Sequence, residues 1–202
     1  MWQDTTLSQT GENLPQNRSQ SLVALGSNVP SDARSPAQTL KMAVSEIETM
    51  GGVIRAESRI FVTPAMPIGS GPDFVNAVIL VESGWAAREM IANLHDIEAR
   101  LGRRRAERWG ARIIDLDLLA IDSVILPDVP TLRHWMDLPA DQQQQKAPGQ
   151  LILPHPRMHQ RGFVLVPLVD VAPDWVHPIT RRTALQMRDA LPEAELASIK
   201  PL

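Results

Sequence analysis

Along the chain the hydrophobic positions change period in a fixed order. "SLVALGSN" at 21–28 is a short apolar run closing on turn residues, the pattern of a strand feeding a turn. The period then lengthens, with Leu40, Ala43, Val44, Ile47 and Met50 at helical spacing. Ser35 stands at the cap, Pro36 at the first helical position, and Gly51-Gly52 ends the run. "VIRAESRIFVT" (53–63) predicts a strand, "TPAMPIGSGP" a Pro/Gly-rich loop, and "DFVNAVILVES" (73–83) a second strand. The segment 85–101 puts Met90, Ile91, Leu94, Ile97 and Leu101 on one helical face, with Gly102 after its end. A further strand follows at 113–119. The order β-α-β-β-α-β predicts an α+β fold: a ferredoxin-like core, with helices on one face of a mainly antiparallel sheet. Beyond the core, "RGFVLVPLVDVAP" is apolar enough to pack on the sheet, and "TALQMRDAL" predicts a last helix. These two form a C-terminal extension.

Composition bounds this picture. With 202 residues, 44% of them hydrophobic, the chain can bury one full core. We expect a single domain over residues 21–202, preceded by a disordered extension over 1–20. That N-terminus is polar, lacks the apolar centre and basic start of a signal peptide, and has too little apolar surface to offset its ordering entropy. The Gln-rich, Pro-bearing stretch 132–150 reads as a mobile insertion. A net charge of −3 argues against duplex nucleic acid as the main partner, and no run of about 18 apolar residues marks a membrane span. Cysteine is absent, which excludes disulfides and thiolate metal sites and suits a reducing compartment.

The strand after Gly110 carries a conflict. Ile114, Leu116 and Leu118 share one face, so Asp115 and Asp117 share the other, about 7 Å apart. Two charges at that spacing repel by about 2 kcal/mol at an effective dielectric near 20. Something positive must offset this. Arg100, Arg103, Arg104, Arg105, Arg108 and Arg112 stand just upstream against a single acid, Glu107. Guanidinium groups bind phosphate oxygens bidentately, and a carboxylate pair is the hard-oxygen ligand set that Mg²⁺ prefers. Phosphate chemistry and a solvated basic loop beside an ion-paired strand both fit these residues. No P-loop and no dinucleotide fingerprint occurs.

"PHPRMHQRGF" (154–163) adds His155, His159 and Arg161. Pro156 argues against a helix across the two histidines, which leaves phosphate contact or a solvated loop in preference to zinc. Phe74 and Phe163 are core residues or, as a pair, the two sides of a flat heterocycle. Asn76 sits on the same strand face as Phe74, and an Asn in an apolar strand needs partners. Trp109 reads as an exposed aromatic, a lid residue or simply a surface one.

Together, "VALGSN", "TPAM…PDFVNAVILVES", "GRRRAERWGARIIDLDLLA" and "LPHPRMHQRGFVLVPLVDVAPDW" resemble the 6-hydroxymethyl-7,8-dihydropterin pyrophosphokinase family over about 21–175. The resemblance implies transfer of pyrophosphate from ATP to the pterin hydroxymethyl oxygen, with AMP released, in folate biosynthesis. It implies Asp115 and Asp117 as holders of two Mg²⁺ ions, with Arg103 and Arg112 as catalytic phosphate contacts. For ATP it implies Glu98, Arg105, Trp109, Leu151, Ile152, His155 and Arg161. For the pterin it implies Thr63, Pro64, Met66, Phe74, Asn76 and Phe163. The chain departs from the family at His95, where Gln is frequent, and at Pro156, where an aromatic is common. A cytoplasmic monomer with no nucleic-acid or membrane partner is expected.

Two other classes compete. A nucleotidyl- or glycosyltransferase with an Asp-x-Asp site would release pyrophosphate or a nucleoside diphosphate instead of AMP. A ferredoxin-like RNA-binding module would carry clustered sheet aromatics, whereas aromatics make up 4% of this chain and Tyr is absent.

Overall fold

The structure, a computed structural model, describes residues 18–31, 34–65, 71–103, 112–139, 142 and 146–202. β1 (Ser19–Ser27) leads into α1 (Pro36–Thr49), β2 (Val53–Glu57), β3 (Phe61–Thr63), β4 (Phe74–Ser83), α2 (Ala87–Arg100) and β5 (Asp115–Ile121). The remaining elements are α3 (Val129–Met136), a 3₁₀ turn (Met158–Gln160), α4 (Gly162–Val171), α5 (Ala184–Asp189), α6 (Glu193–Ser198) and β6 (Lys200–Pro201). Local sequence sets the ends of several helices. Ser35 and Gln38 close a capping box at α1, Thr183 and Gln186 do the same at α5, and Asp128 caps α3.

The described strands form one sheet in the order β5-β1-β4-β3-β6, with β2 also on β4, and every pairing is antiparallel. Its first face buries Val23 and Leu25 of β1, Ile79 and Val81 of β4, and Leu116 and Leu118 of β5 against α1 and α2. The second face carries Leu22, Val78 and Leu119, which pack on Met158, α4 and α5. Helices therefore cover both faces, not one. The extension accounts for this: the apolar run 162–171, expected to pack on the sheet, is helix α4 and needs a face of its own.

Three further expectations are corrected. The predicted strand 53–63 is broken between β2 and β3. There the Ser58 hydroxyl accepts from the Val78 N–H at 2.9 Å, taking a bond that a continuous ladder would give to backbone. The stretch 132–150 does not begin as an insertion, because its first residues complete α3 and Leu132 is fully buried. Ser19 and Gln20, assigned by composition to the disordered extension, open β1 against Ser83 and Glu82.

Candidate active site

One line of register crosses four strands: Asp115 on β5 faces Gly26 on β1, Gly26 faces Asn76 on β4, and Asn76 faces Phe61 on β3. Partners directly opposite in a sheet share a face, and Asp117 and Thr63 follow two residues along β5 and β3. Asp115, Asp117, Asn76 and Thr63 thus lie on the second face; Thr63 stands on the outer side of the line, beside Phe74, and Asp117 on the inner side, in the row of Ala24 and Val78 at the margin of the apolar cover of α4. The period-two reading of Asp115 and Asp117 matches the alternation along β5, where Leu116 and Leu118 turn to the first face.

The charged half is built around Asp115. Its two oxygens meet Arg112 and, at 2.8 Å, Arg103. Burial, followed by the charge of Asp117, holds the Asp115 carboxyl above its ordinary value, while Arg112 and Arg103 pull it down. Arg103 is gripped from behind by Glu98, which is 2% exposed and also accepts from the Leu116 N–H at 2.7 Å. Burial pushes the Glu98 carboxyl up to about 7, against the Leu116 hydrogen bond and Arg103. Glu98 therefore stands behind Arg103, its Oε1 shared between the Arg103 guanidinium and the Leu116 N–H.

The segment carrying Leu151 and Ile152 is tied down by backbone bonds, to the loop after β5 and to β5 itself. Leu153 and Leu126 exchange hydrogen bonds, and the His155 N–H donates to the Leu119 carbonyl at 2.7 Å. His155 Nδ1 accepts from the Arg157 N–H at 3.2 Å, so its ring proton is assigned to Nε2. Burial, then Arg161 and Arg157, push its pKa down to about 3, which leaves a neutral imidazole at physiological pH. Burial also lowers the Arg161 pKa, while Asp117 works to raise it. These couplings bring His155, Arg161 and the two aspartates into one electrostatic cluster. Among the described residues no larger group of histidines and carboxylates gathers to hold a metal.

The uncharged half is smaller. Asn76 Nδ2 donates to Thr63 Oγ1 at 2.7 Å, which answers the need for a partner and leaves Oδ1 as an acceptor. A Cβ at Gly26 would lie 3.0 Å from that oxygen, so glycine keeps the amide's space open. Phe74 pairs with Thr63 in register and is half-buried, and Pro64 follows Thr63 on the same wall. Phe163, 36% exposed, opens α4 with the Arg161 guanidinium 5.4 Å over its ring. Met66, Arg105 and Trp109 lie outside the described residues. His95 is exposed on α2, and Pro156 is buried.

One residue of this architecture was missed by the motif reading. Asn28 Nδ2 donates to the Pro72 carbonyl at 3.2 Å, its Oδ1 accepts from the Arg112 N–H at 2.7 Å, and its own N–H donates to the Arg112 carbonyl at 3.0 Å. It holds together the two halves just described. The available signal was its place directly after the strand that supplies Gly26.

Comparison with known proteins follows the same outline. A pyrophosphokinase from Synechocystis, named for 2-amino-4-hydroxy-6-hydroxymethyldihydropteridine, is 31% identical over 180 residues, covering 86% of this chain and 76% of its own. One of the same name from Porphyromonas gingivalis is 33% identical over 159 residues, covering 77% of this chain and 92% of its own. Among solved structures, a Plasmodium falciparum HPPK-DHPS with pteroate superposes with a TM-score of 0.62 at 16% identity, covering 85% of this chain and 42% of that one. That likeness speaks for the fold, and the chain spans about two fifths of that longer protein. The sequence model of 7,8-dihydro-6-hydroxymethylpterin-pyrophosphokinase (HPPK) matches residues 22–173, a span that holds the whole register line and both halves of the site, and the chain belongs to this family.

Proposed function

We propose that this ATP-dependent pyrophosphokinase of folate biosynthesis works through the Asp115–Asp117 pair, which holds two Mg²⁺ ions while pyrophosphate passes from ATP to 6-hydroxymethyl-7,8-dihydropterin. The carrying observation is geometric: Asp115 and Asp117 stand on one face of β5, two residues apart, with Arg103 and Arg112 both on the Asp115 carboxyl. Two carboxylates give a hard cation part of its oxygen shell, which suits ions whose remaining ligands are water and substrate phosphates. When bound, such ions supply charge neutralisation across the phosphates and acidify the accepting hydroxyl.

The chain's own residues have separable tasks. In the transfer, the pterin hydroxymethyl oxygen forms a bond to the β-phosphorus, the bond between that phosphorus and the α,β-bridging oxygen breaks, and AMP leaves. Arg103 and Arg112 stabilise the charge that shifts toward AMP, and both are already oriented by Glu98 and Asp115. Arg161 and the Nε2–H of neutral His155 serve the β- and γ-phosphate end. A neutral imidazole donates there without carrying a fixed charge. The hydroxyl proton passes to Asp117 or, where a bound ion has lowered the hydroxyl's pKa enough, directly to water.

On the other side, Asn76 Oδ1 accepts from the N–H edge of the pterin while Thr63 fixes the amide's orientation, and Phe74 and Phe163 flank the ring. Leu151 and Ile152 receive adenine on a segment held just beyond them, by Leu126 at Leu153 and by β5 at His155. We read the enzyme as a cytoplasmic monomer.

The test is AMP release from ATP with the reduced pterin, with pterin-free and EDTA controls. Asp117→Ala should abolish turnover while the protein stays folded by circular dichroism. Near-normal turnover in that variant, or release of pyrophosphate in place of AMP, would sink the assignment.

A further inference from the structure

The C-terminal segment reaches both walls of the pterin subsite. β6 pairs Pro201 with Phe61 and Lys200 with Val62, and the Leu202 N–H donates to the Ile60 carbonyl at 2.9 Å. This lays an outer strand on β3, which bears Thr63. From α6, the half-buried Glu195 reaches the start of α4, where its Oε1 accepts from the Gly162 N–H at 2.7 Å. The α4 N-cap, Arg161, supplies no side-chain cap of its own. A first-turn donor that would otherwise be orphaned is therefore satisfied by a carboxylate 33 residues later. The bond is charge-assisted, and a negative group at a helix N-terminus is favoured by the helix dipole.

Gly162 is fitted to this contact. A Cβ there would lie 2.7 Å from Glu195 Oε1 and 2.8 Å from Ile199 Cδ1, so any side chain would displace the carboxylate. The bonded N–H belongs to the peptide joining Arg161 to Gly162. Fixing that peptide fixes the directions in which Arg161 and Phe163 leave the backbone, and these two side chains already stack.

We infer that Glu195 is a positioning residue for the reaction: its carboxylate, bound to the Gly162 N–H, sets the backbone from which Arg161 and Phe163 reach the phosphate and pterin subsites. The inference rests on the reading of Arg161 and Phe163 as site residues. A cap that merely stabilised α4 would move the melting temperature and leave substrate affinity alone.

The experiment compares Glu195→Ala, Glu195→Asp and Glu195→Gln in the full chain, by AMP release, equilibrium pterin titration and thermal unfolding. Loss of the hydrogen bond in Ala, and its lengthening in the shorter Asp, should each raise pterin KM and Kd about fivefold well below the melting temperature. Gln keeps the acceptor oxygen and should stay within about twofold of wild type. Unchanged KM and Kd in Ala and Asp, with only a lower melting temperature, would overturn the inference. If Ala does not fold, the Asp variant decides. Arg161→Ala and Phe163→Ala run alongside. Impairment in those two with none in the Glu195 variants defeats the positioning role alone, whereas no impairment in any of them defeats the site reading and the inference with it.

Discussion

Glu98 offers a test in which protonation reads out burial. Its carboxyl is held at about 7 in the folded protein, chiefly by burial, against an ordinary value of 4.5. Between these values the folded chain keeps a proton that the unfolded chain has released. Stability therefore declines as pH rises through the window, and the loss is complete once pH passes about 7. A shift of this size corresponds to about 3 kcal/mol, of which about 2 kcal/mol falls above pH 5.5. Glu98→Gln is close to isosteric, keeps an acceptor for the Leu116 N–H, and leaves Arg103 its contact with Asp115. Urea unfolding followed by tryptophan fluorescence at pH 5.5 and 8.5 gives the change in stability for each protein. Wild type should lose about 2 kcal/mol more than the Gln variant across that interval. Other titrating groups, including the histidines, contribute to both proteins and cancel in the difference. If the two proteins trace the same pH profile, Glu98 is not held protonated by its surroundings, and the account of Arg103's support is wrong.

Asn28→Ala removes the acceptor of the Arg112 N–H and the donor to the Pro72 carbonyl, and kcat/KM for AMP release should fall about tenfold or more. Asn28→Asp keeps only the acceptor and should fall between Ala and wild type; equal activity in all three proteins would remove Asn28 from the site's framework. His177 is 0% exposed, with its pKa pushed down to about 4 by burial and then by His159. Unfolding therefore takes up a proton at His177 below about 6.5, and this residue's own share of the stability falls by about 3 kcal/mol as pH drops from 6.5 to 4, beside the like-signed share of His155 and the opposite one of Glu98. His177→Asn should flatten that acid limb in the same urea assay, and an unaltered limb would contradict the burial argument.

What could be read from the sequence was what repeats at short range. Alternation along β5 placed Asp115 and Asp117 together because period two is a property of the strand itself. Ser35-Pro36 located the start of α1 for the same reason: cap and helix are adjacent in the chain. The break at Ser58 was not legible, because it arises when a side chain replaces backbone in a bond to β4, and nothing in "VIRAESRIFVT" marks that exchange. Helix α3 was hidden by the Gln-rich run that follows it, although Asp128 caps it and Leu132 anchors it. Asn28 was invisible as a clamp because its side-chain partners lie 44 and 84 residues away. Its role exists only after the sheet has assembled. The same is true of Glu98, whose carboxylate gains its meaning from a backbone N–H on β5.

The register line through Asp115, Gly26, Asn76 and Phe61 makes β1 a ruler. From the carboxylate that orders the arginines to the Asn76 amide, proposed above as the pterin's partner, is two interstrand steps, about 10 Å. That span is fixed by backbone hydrogen bonds, whose length hardly varies with the side chains around them. Repacking of the helices can soften or stiffen the protein without changing the gap between the subsites. Only a slip in the pairing of β1 would alter it. Such a slip moves in whole residues and turns the neighbouring side chains to the opposite face, so the gap between the two subsites cannot be adjusted by small degrees.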